Sequence, residues 1–191
     1  IRGGWDNRII GDNFISASVV IDIANEKEVE FVLLGKSKIG NVEVRSDADL
    51  DDSENTGTGF TNVAIIGGKD VILRGGFNLV SFISKGVNVW LRTATINTLY
   101  ARSGGDVWGS GTISTANIMS NDVNLDIIPA VTNVAKGFGA YVGGERISEG
   151  KFTAKDIAAL QNDPIDNLKV TTIGDSQVGD PLGQTLKPQF P

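Results

Sequence analysis

The sequence predicts an all-β chain: a single-stranded parallel β-helix, or solenoid, followed by a short C-terminal helix and an extended tail. Three observations predict it. Between Thr61 and Ile128 the chain is a row of short apolar strands, each closed by Gly, Asn, Asp or Lys-Gly. Strand starts fall near 62, 70, 78, 87, 96, 106, 115 and 122, and every third start gives steps of 25–28 residues, the length of a coil holding three short strands. Proline is absent from residues 1–128, and all five prolines (129, 164, 181, 188 and 191) lie beyond. Proline cannot donate to a ladder, so its absence suits a paired sheet and its arrival marks an exit. The alternative is an antiparallel β-sandwich. Against it stand very short strands and the absence of Asn-Gly and Asp-Gly pairs, the strongest hairpin signals.

In chain order, Gly3 and Gly4 mark a turn, and Ser18–Ile23 is strand-like, with Val19, Ile21 and Ile23 alternating. A polar turn at residues 25–28 follows. Glu28–Leu34 alternates Val29, Phe31 and Leu33 against Glu28 and Glu30, which favours a strand over a helix, and Asn41–Arg45 repeats the pattern. Residues 46–60 are polar and acidic, and read as a surface insertion. In the strand array, Val63, Ile65, Val71, Leu73, Val87, Val89, Leu91, Val123, Leu125 and Ile127 form the inward set. Asn88, Asn97, Asn117 and Asn124 lie in or beside strands, where Asn is depleted; stacked coils let such amides satisfy one another in ladders.

Residues 1–128 thus form the solenoid, and 129–191 a cap and tail. Residues 129–152 read as loop with one strand near Gly139–Val142. A helix follows over 153–161, with Thr153 as N-cap, Asp156 near the positive end of the dipole, and Ile157 and Leu160 covering the open end of the core. One strand is predicted over 168–173, and the remainder as an extended tail. A chain starting at Ile1 instead of Met reads as a processed product or a piece of something longer.

Composition excludes several functions. Gly accounts for 24 of 191 residues, nearly twice average usage, which means many tight turns. With no Cys and no His, a thiol nucleophile, a Cys/His zinc site and a Ser-His-Asp triad are excluded. A net charge of −6 with scattered basic residues argues against nucleic acid. No apolar run approaches the length of a membrane span.

The segments Thr61–Gly76 (TNVAIIGGKDVILRGG) and Lys85–Leu91 (KGVNVWL) repeat a polar, Asn/Asp-Val-x-Ile/Leu strand after a Gly or Lys corner. By these the chain resembles the right-handed parallel β-helix, or pectin-lyase-like, superfamily over roughly residues 13–128. The resemblance implies carbohydrate-active enzymes, phage tail spikes and fibres, or bacterial adhesins. A Gly-rich chain without His or Cys looks most like a tail-spike or fibre segment. The expectation is a structural or adhesive component of a virion or bacterial surface, assembling with copies of itself or another virion or surface protein. The alternative is a polysaccharide-binding or polysaccharide-degrading β-helix of lyase or glycosidase type.

No residue role carries over from the family, so candidate sites rest on the residues themselves. Trp90, Tyr100 and Trp108 are the aromatics of the strand array, and Trp90 faces outward if Val89 and Leu91 face inward. With Arg92 they are candidates for binding a sugar ring or a partner protein; the other reading of the outward Trp90 is cover by the C-terminal segment of the same chain. Arg74, Arg92 and Arg102 end strands, and surface arginines lying over the sheet explain them equally. Asp47, Asp49 and Asp51 alternate like the first ligands of a calcium loop, but Asp52 stands where that motif needs Gly and Thr58 where it needs Glu. An irregular calcium site, a glycosidase carboxylate pair and a solvated turn are the three readings of this loop.

Overall fold

The computed structural model describes residues 7–23 and 28–162. The turn at Gly3–Gly4, most of the turn at 25–28, the strand over 168–173 and the extended tail lie outside the described residues.

The chain is a parallel β-solenoid of about seven turns with one short C-terminal helix. Its strands stack in two columns. The front column runs through β1 (Asn7–Asp12), β3 (Val29–Leu34), β5 (Ala48–Asp51), β7 (Asp70–Arg74), the first halves of β9 (Val87–Ala101) and β10 (Gly105–Ile118), β11 (Val123–Leu125) and the end of β12 (Val131–Val142). The back column runs through β2 (Ile15–Ile21), β4 (Lys38–Val44), β6 (Gly59–Ile65), β8 (Gly76–Phe82), the second halves of β9 and β10, and the start of β12. Every one of these pairings is parallel.

Each turn therefore holds two strands, not three. The strands starting near 62, 78, 96 and 115 stack on the back, and those near 70, 87, 106 and 122 on the front. The true repeat is every second strand. Paired residues lie from 16 apart (Thr115 and Val131) to 23 apart (Ile15 and Lys38), short of the 25–28 expected. The chain passes from front to back inside β9 and β10 without a polar turn. At those corners Thr93 has φ 63° and Gly109 φ 105°. A Cβ on Gly109 would collide with the Leu91 carbonyl one turn below, so this close approach needs glycine.

Alternation along each strand sends one set of side chains inward. Val63, Ile65, Val71, Leu73, Val87, Val89, Leu91, Val123 and Leu125 are all buried as the pattern demands, and Ile127 packs partly buried against them. Inside, Phe31 meets Phe60 edge to face and Phe60 stacks on Phe77, with ring centroids 5.7 Å apart at each step. Burying each such side chain contributes about 1.5–3 kcal/mol.

Two stretches differ from expectation. Residues 46–60 are not a surface insertion: β5 lies within them, paired to β3 and β7, with Ala48 and Leu50 buried in the core. The stretch looked like a loop because Asp47, Asp49, Asp51 and Asp52 dominate it, and only two small windows face the core. Residues 129–152 are likewise mostly strand. The parallel ladder continues past Pro129 through β12, and β13 (Glu145–Thr153) then folds back antiparallel to it. Gly137, Gly139, Gly143 and Gly144 disguise this hairpin as loop.

The stack ends in α1 (Ala154–Asn162). Thr153 caps it: the Thr153 backbone N–H and hydroxyl both donate to Asp156 Oδ2, at 2.6 and 2.8 Å, and these bonds hold the Asp156 carboxyl below its ordinary range. Ile157 is fully buried and Leu160 partly buried against the core, so the helix closes the C-terminal end as a solenoid requires. No helix among the described residues is long and apolar enough to cross a membrane.

Candidate functional site

The ladder fixes which front-face side chains are neighbours. Three outward rows run along the stack. The first is Asp70, Asn88, Asp106, Asn124 and Tyr141, each in register with the next. The second is Ile72, Trp90 and Trp108. The third carries Arg74 and Arg92, one residue beyond the paired Leu73 and Leu91, and Ser110, in register with Arg92.

Trp90 and Trp108 stack with ring centroids 6.2 Å apart and planes 29° apart. Trp90 remains 39% exposed, unusual for the largest apolar side chain. Its indole N–H donates to Asp70 Oδ1 at 3.0 Å, and the Asn88 amide donates to the same oxygen at 3.1 Å. Asp70 thus orients both neighbours. Asp106, Asn124 and Asp126 surround Trp108 and make no side-chain hydrogen bond or ion pair among the described residues. Arg92 is exposed and likewise without an ion pair among them. Arrayed donors and acceptors beside an open aromatic surface suit a ligand that is apolar on one face and hydroxylated at its edges.

Two turns beyond Trp108, a cleft of about 510 Å³ opens on the same face, lined by Asn121, Asp122, Gly139, Tyr141 and Arg146 among others. Tyr141 is 51% exposed, and Arg146 stands opposite it in the β12–β13 pair. Asn121 Oδ1 accepts the Gly139 N–H at 3.0 Å, which shapes the rim.

The structure brings Trp90, Trp108 and Arg92 together as the sequence suggested, but sends Tyr100 elsewhere. Tyr100 follows the corner at Thr93 and lies on the back face, beneath the Arg102 guanidinium at 5.3 Å. Tyr141, Asp70, Asp106 and Arg146 were not picked out from sequence. Their signal was there: Asp70, Asn88, Asp106 and Asn124 are spaced 18 residues apart, each directly before Val or Leu.

The acidic loop is occupied with its own scaffold. Asp47 Oδ1 accepts the backbone N–H groups of Lys69 and Asp70, at 2.6 and 3.1 Å. Asp49 is buried and holds Arg74 by two nitrogens, at 2.8 to 3.2 Å. That bond is the first cause of a raised Arg74 pKa. Asp51 accepts from the Ser53 N–H and hydroxyl. Among the described residues no three carboxylates converge on a metal-sized site. Nearby, burial and then repulsion from Asp49 and Asp47 raise the Glu28 carboxyl above its ordinary range, partly offset by Arg92 and Arg74.

Asp52 is the most perturbed group. Its carboxylate is buried between its own turn and the next, accepting the Gly76 N–H at 2.6 Å and the Phe60 N–H. Desolvation outweighs those bonds and raises its pKa to about 6. Gly75 (φ 92°) leaves the space, since a Cβ there would collide with this carboxylate. Asp52 faces inward between turns and serves the scaffold.

No family model and no curated protein matches the chain. Among solved structures, the chain is similar to part of a multi-modular chitinase expressed on the cell surface of Paenibacillus sp. str. FPU-7, at 17% identity and a TM-score of 0.53. The match covers 70% of this chain and 14% of that one. At this identity the likeness is one of fold: a β-solenoid similar to a segment of a bacterial cell-surface enzyme.

Proposed function

We propose that this solenoid is a non-catalytic adhesive module of a cell-surface or virion protein, and that it binds polysaccharide through its front face. The observation that carries the reading is the stacked Trp90–Trp108 pair, with Trp90 exposed, flanked by Asp106, Asn124 and Asp126, which make no side-chain hydrogen bond or ion pair among the described residues. A pyranose ring offers an apolar C–H face to an indole and hydroxyls to carboxylates and amides. The solved-structure likeness supports the same reading, because the similar segment belongs to an enzyme named for a polysaccharide. Of the loop carboxylates, Asp47, Asp49 and Asp52 are engaged in bonds to the next turn and Asp51 in a local bond to Ser53, which supports binding without turnover. Sedimentation with insoluble chitin, cellulose and cell-wall polysaccharide tests it. Wild type should pellet with at least one without releasing reducing ends, and Trp90→Ala/Trp108→Ala should stay in solution. Equal pelleting of both proteins would sink the reading.

A second reading, assembly with another copy or another virion or surface protein, has its own observation. Ile10 and Ile15, on the first described turn, are 56% and 77% exposed. Light scattering that finds a strict monomer, unchanged in Ile10→Ser/Ile15→Ser, removes it.

A further inference from the structure

We infer that the site extends beyond the tryptophan pair: it takes a neutral linear polysaccharide laid obliquely along the solenoid axis, with Tyr141 and its cleft as a second aromatic subsite. This rests on the glycan-binding reading above. Trp90 and Trp108 lie in the second row and Tyr141 in the first, on front-face turns with one turn skipped, so three steps along the axis and one row sideways separate the first from the last. At 4.7–4.9 Å per step that is roughly 14 Å along the axis, the reach of an oligosaccharide and not of one sugar. The skipped turn presents Asn124 and Asp126, small hydrogen-bonding groups between two aromatic platforms. A linear glycan alternates in the same way, ring faces against hydroxyl edges.

Charge selects the class. Among the described residues, Asp70, Asp106 and Asp126 line the track without an ion pair, and Asp122 has only the Lys85 ammonium, 3.8 Å away. Of the arginines, Arg74 is committed to Asp49, leaving Arg92 and Arg146 at the flanks. The whole chain carries −6. Unpaired carboxylates accept hydroxyl protons well and repel uronates. A neutral chain is therefore the occupant, in place of the acidic polysaccharides that pectin-lyase-like proteins would suggest.

Calorimetric titration with neutral β-1,4-linked disaccharides and hexasaccharides, and with a galacturonate hexasaccharide, tests this in the full chain. Tyr141→Ala, checked for an unchanged thermal melt, should weaken the neutral hexasaccharide about tenfold and leave the disaccharide unchanged. Trp108→Ala should weaken both. Tighter binding of the galacturonate chain overturns the neutral assignment. A Tyr141→Ala effect absent at both lengths, or equal at both, overturns the second subsite while leaving the tryptophan site standing. If no glycan binds wild type, the glycan reading falls with everything built on it. The same follows if light scattering shows a dimer that Trp90→Ala dissociates.

Discussion

The back and front faces of this solenoid are built on the same ladder and use their outward side chains in opposite ways. On the back, side chains of one turn satisfy those of the next. Asn62 donates to Asn41 at 3.1 Å, Asn97 to Asn78 at 3.2 Å, Asn133 to Asn117 at 2.9 Å, and Thr112 to Thr95 at 3.3 Å. The front begins in the same manner, with Arg8 on Glu30 and Arg74 on Asp49. It continues into β9, where Asn88 and Trp90 donate to Asp70; from β10 onward it stops, and Trp108 is flanked by groups without side-chain partners among the described residues. In a repeat, self-satisfied rows are scaffold, and the row that breaks the rule is where a partner has something to gain.

The largest effect should come from the structural half of the front face. Arg74→Ala leaves the Asp49 carboxylate, only 8% exposed, without its counter-ion. Removing one partner of such a pair costs about 3 kcal/mol. Urea denaturation should show it, with glycan binding retained at temperatures where the variant is folded. A loss below about 0.5 kcal/mol would mean the front face is not divided as described.

Next is pH. The folded pKa of Asp52, about 6, lies above the ordinary aspartate value of 3.8. Between those values the folded state holds a proton that the unfolded state has lost, so this group's contribution to stability falls as pH rises from about 4 to 6. Below pH 4 both states are protonated and the penalty is absent; above 6 it is complete, at most about 3 kcal/mol. The chain should melt higher at pH 4.5 than at pH 7.5. Asp52→Asn should flatten that slope while losing stability at all pH values, since one of its two backbone donors then meets an NH₂ group. Because Asp52 faces neither outer row, glycan binding should not share this pH profile.

How much of this was legible beforehand depends on where each side chain's partners lie in the chain. The inward residues were readable because alternation is local: Val71 and Leu73, or Val123 and Leu125, need only their own strand. The N-cap at Thr153 and Asp156 was readable for the same reason. The stacking was not, because the step between turns varies from 16 to 23 residues and a period of three strands fits the starts as well as two. The regular 18-residue spacing from Asp70 to Asn124 would have named the front face. Tyr100 was grouped with Trp90 because a non-glycine residue, Thr93, turns the corner between them. Asp52 carries no local mark at all: Phe60 and Gly76 reach it only through the fold. Tyr141 lies in the one strand expected near Gly139–Val142, but from sequence that strand reads as an isolated piece within loop and not as the end of β12, so nothing placed Tyr141 on the front face.

Trp90→Ala should cost about 1 kcal/mol of stability, the worth of one half-exposed aromatic contact, while removing most of the binding. The bond to Asp70 goes with the indole, but the exposed Asp70 carboxylate then reaches water and keeps the Asn88 amide. A variant as destabilised as Arg74→Ala would make the tryptophan pair a structural staple instead of a binding surface.

The smallest effect should be on the back. Asn62→Ala removes one amide–amide bond between exposed or half-exposed groups, worth about 0.5 kcal/mol. The Asn41 side chain left behind is solvent-accessible, so nothing is stranded. The ladder backbone, which carries the pairing of β4 with β6, is untouched. Glycan affinity should stay within error of wild type, because Asn62 and Trp90 lie on opposite columns of the stack. The pair of variants separates the faces by sign. Trp90→Ala loses the ligand and keeps the fold, and Asn62→Ala keeps both. Loss of glycan binding in Asn62→Ala, with an unchanged melt, would place the binding surface on the back and make the amide ladder, not the indoles, the feature that a ligand reads.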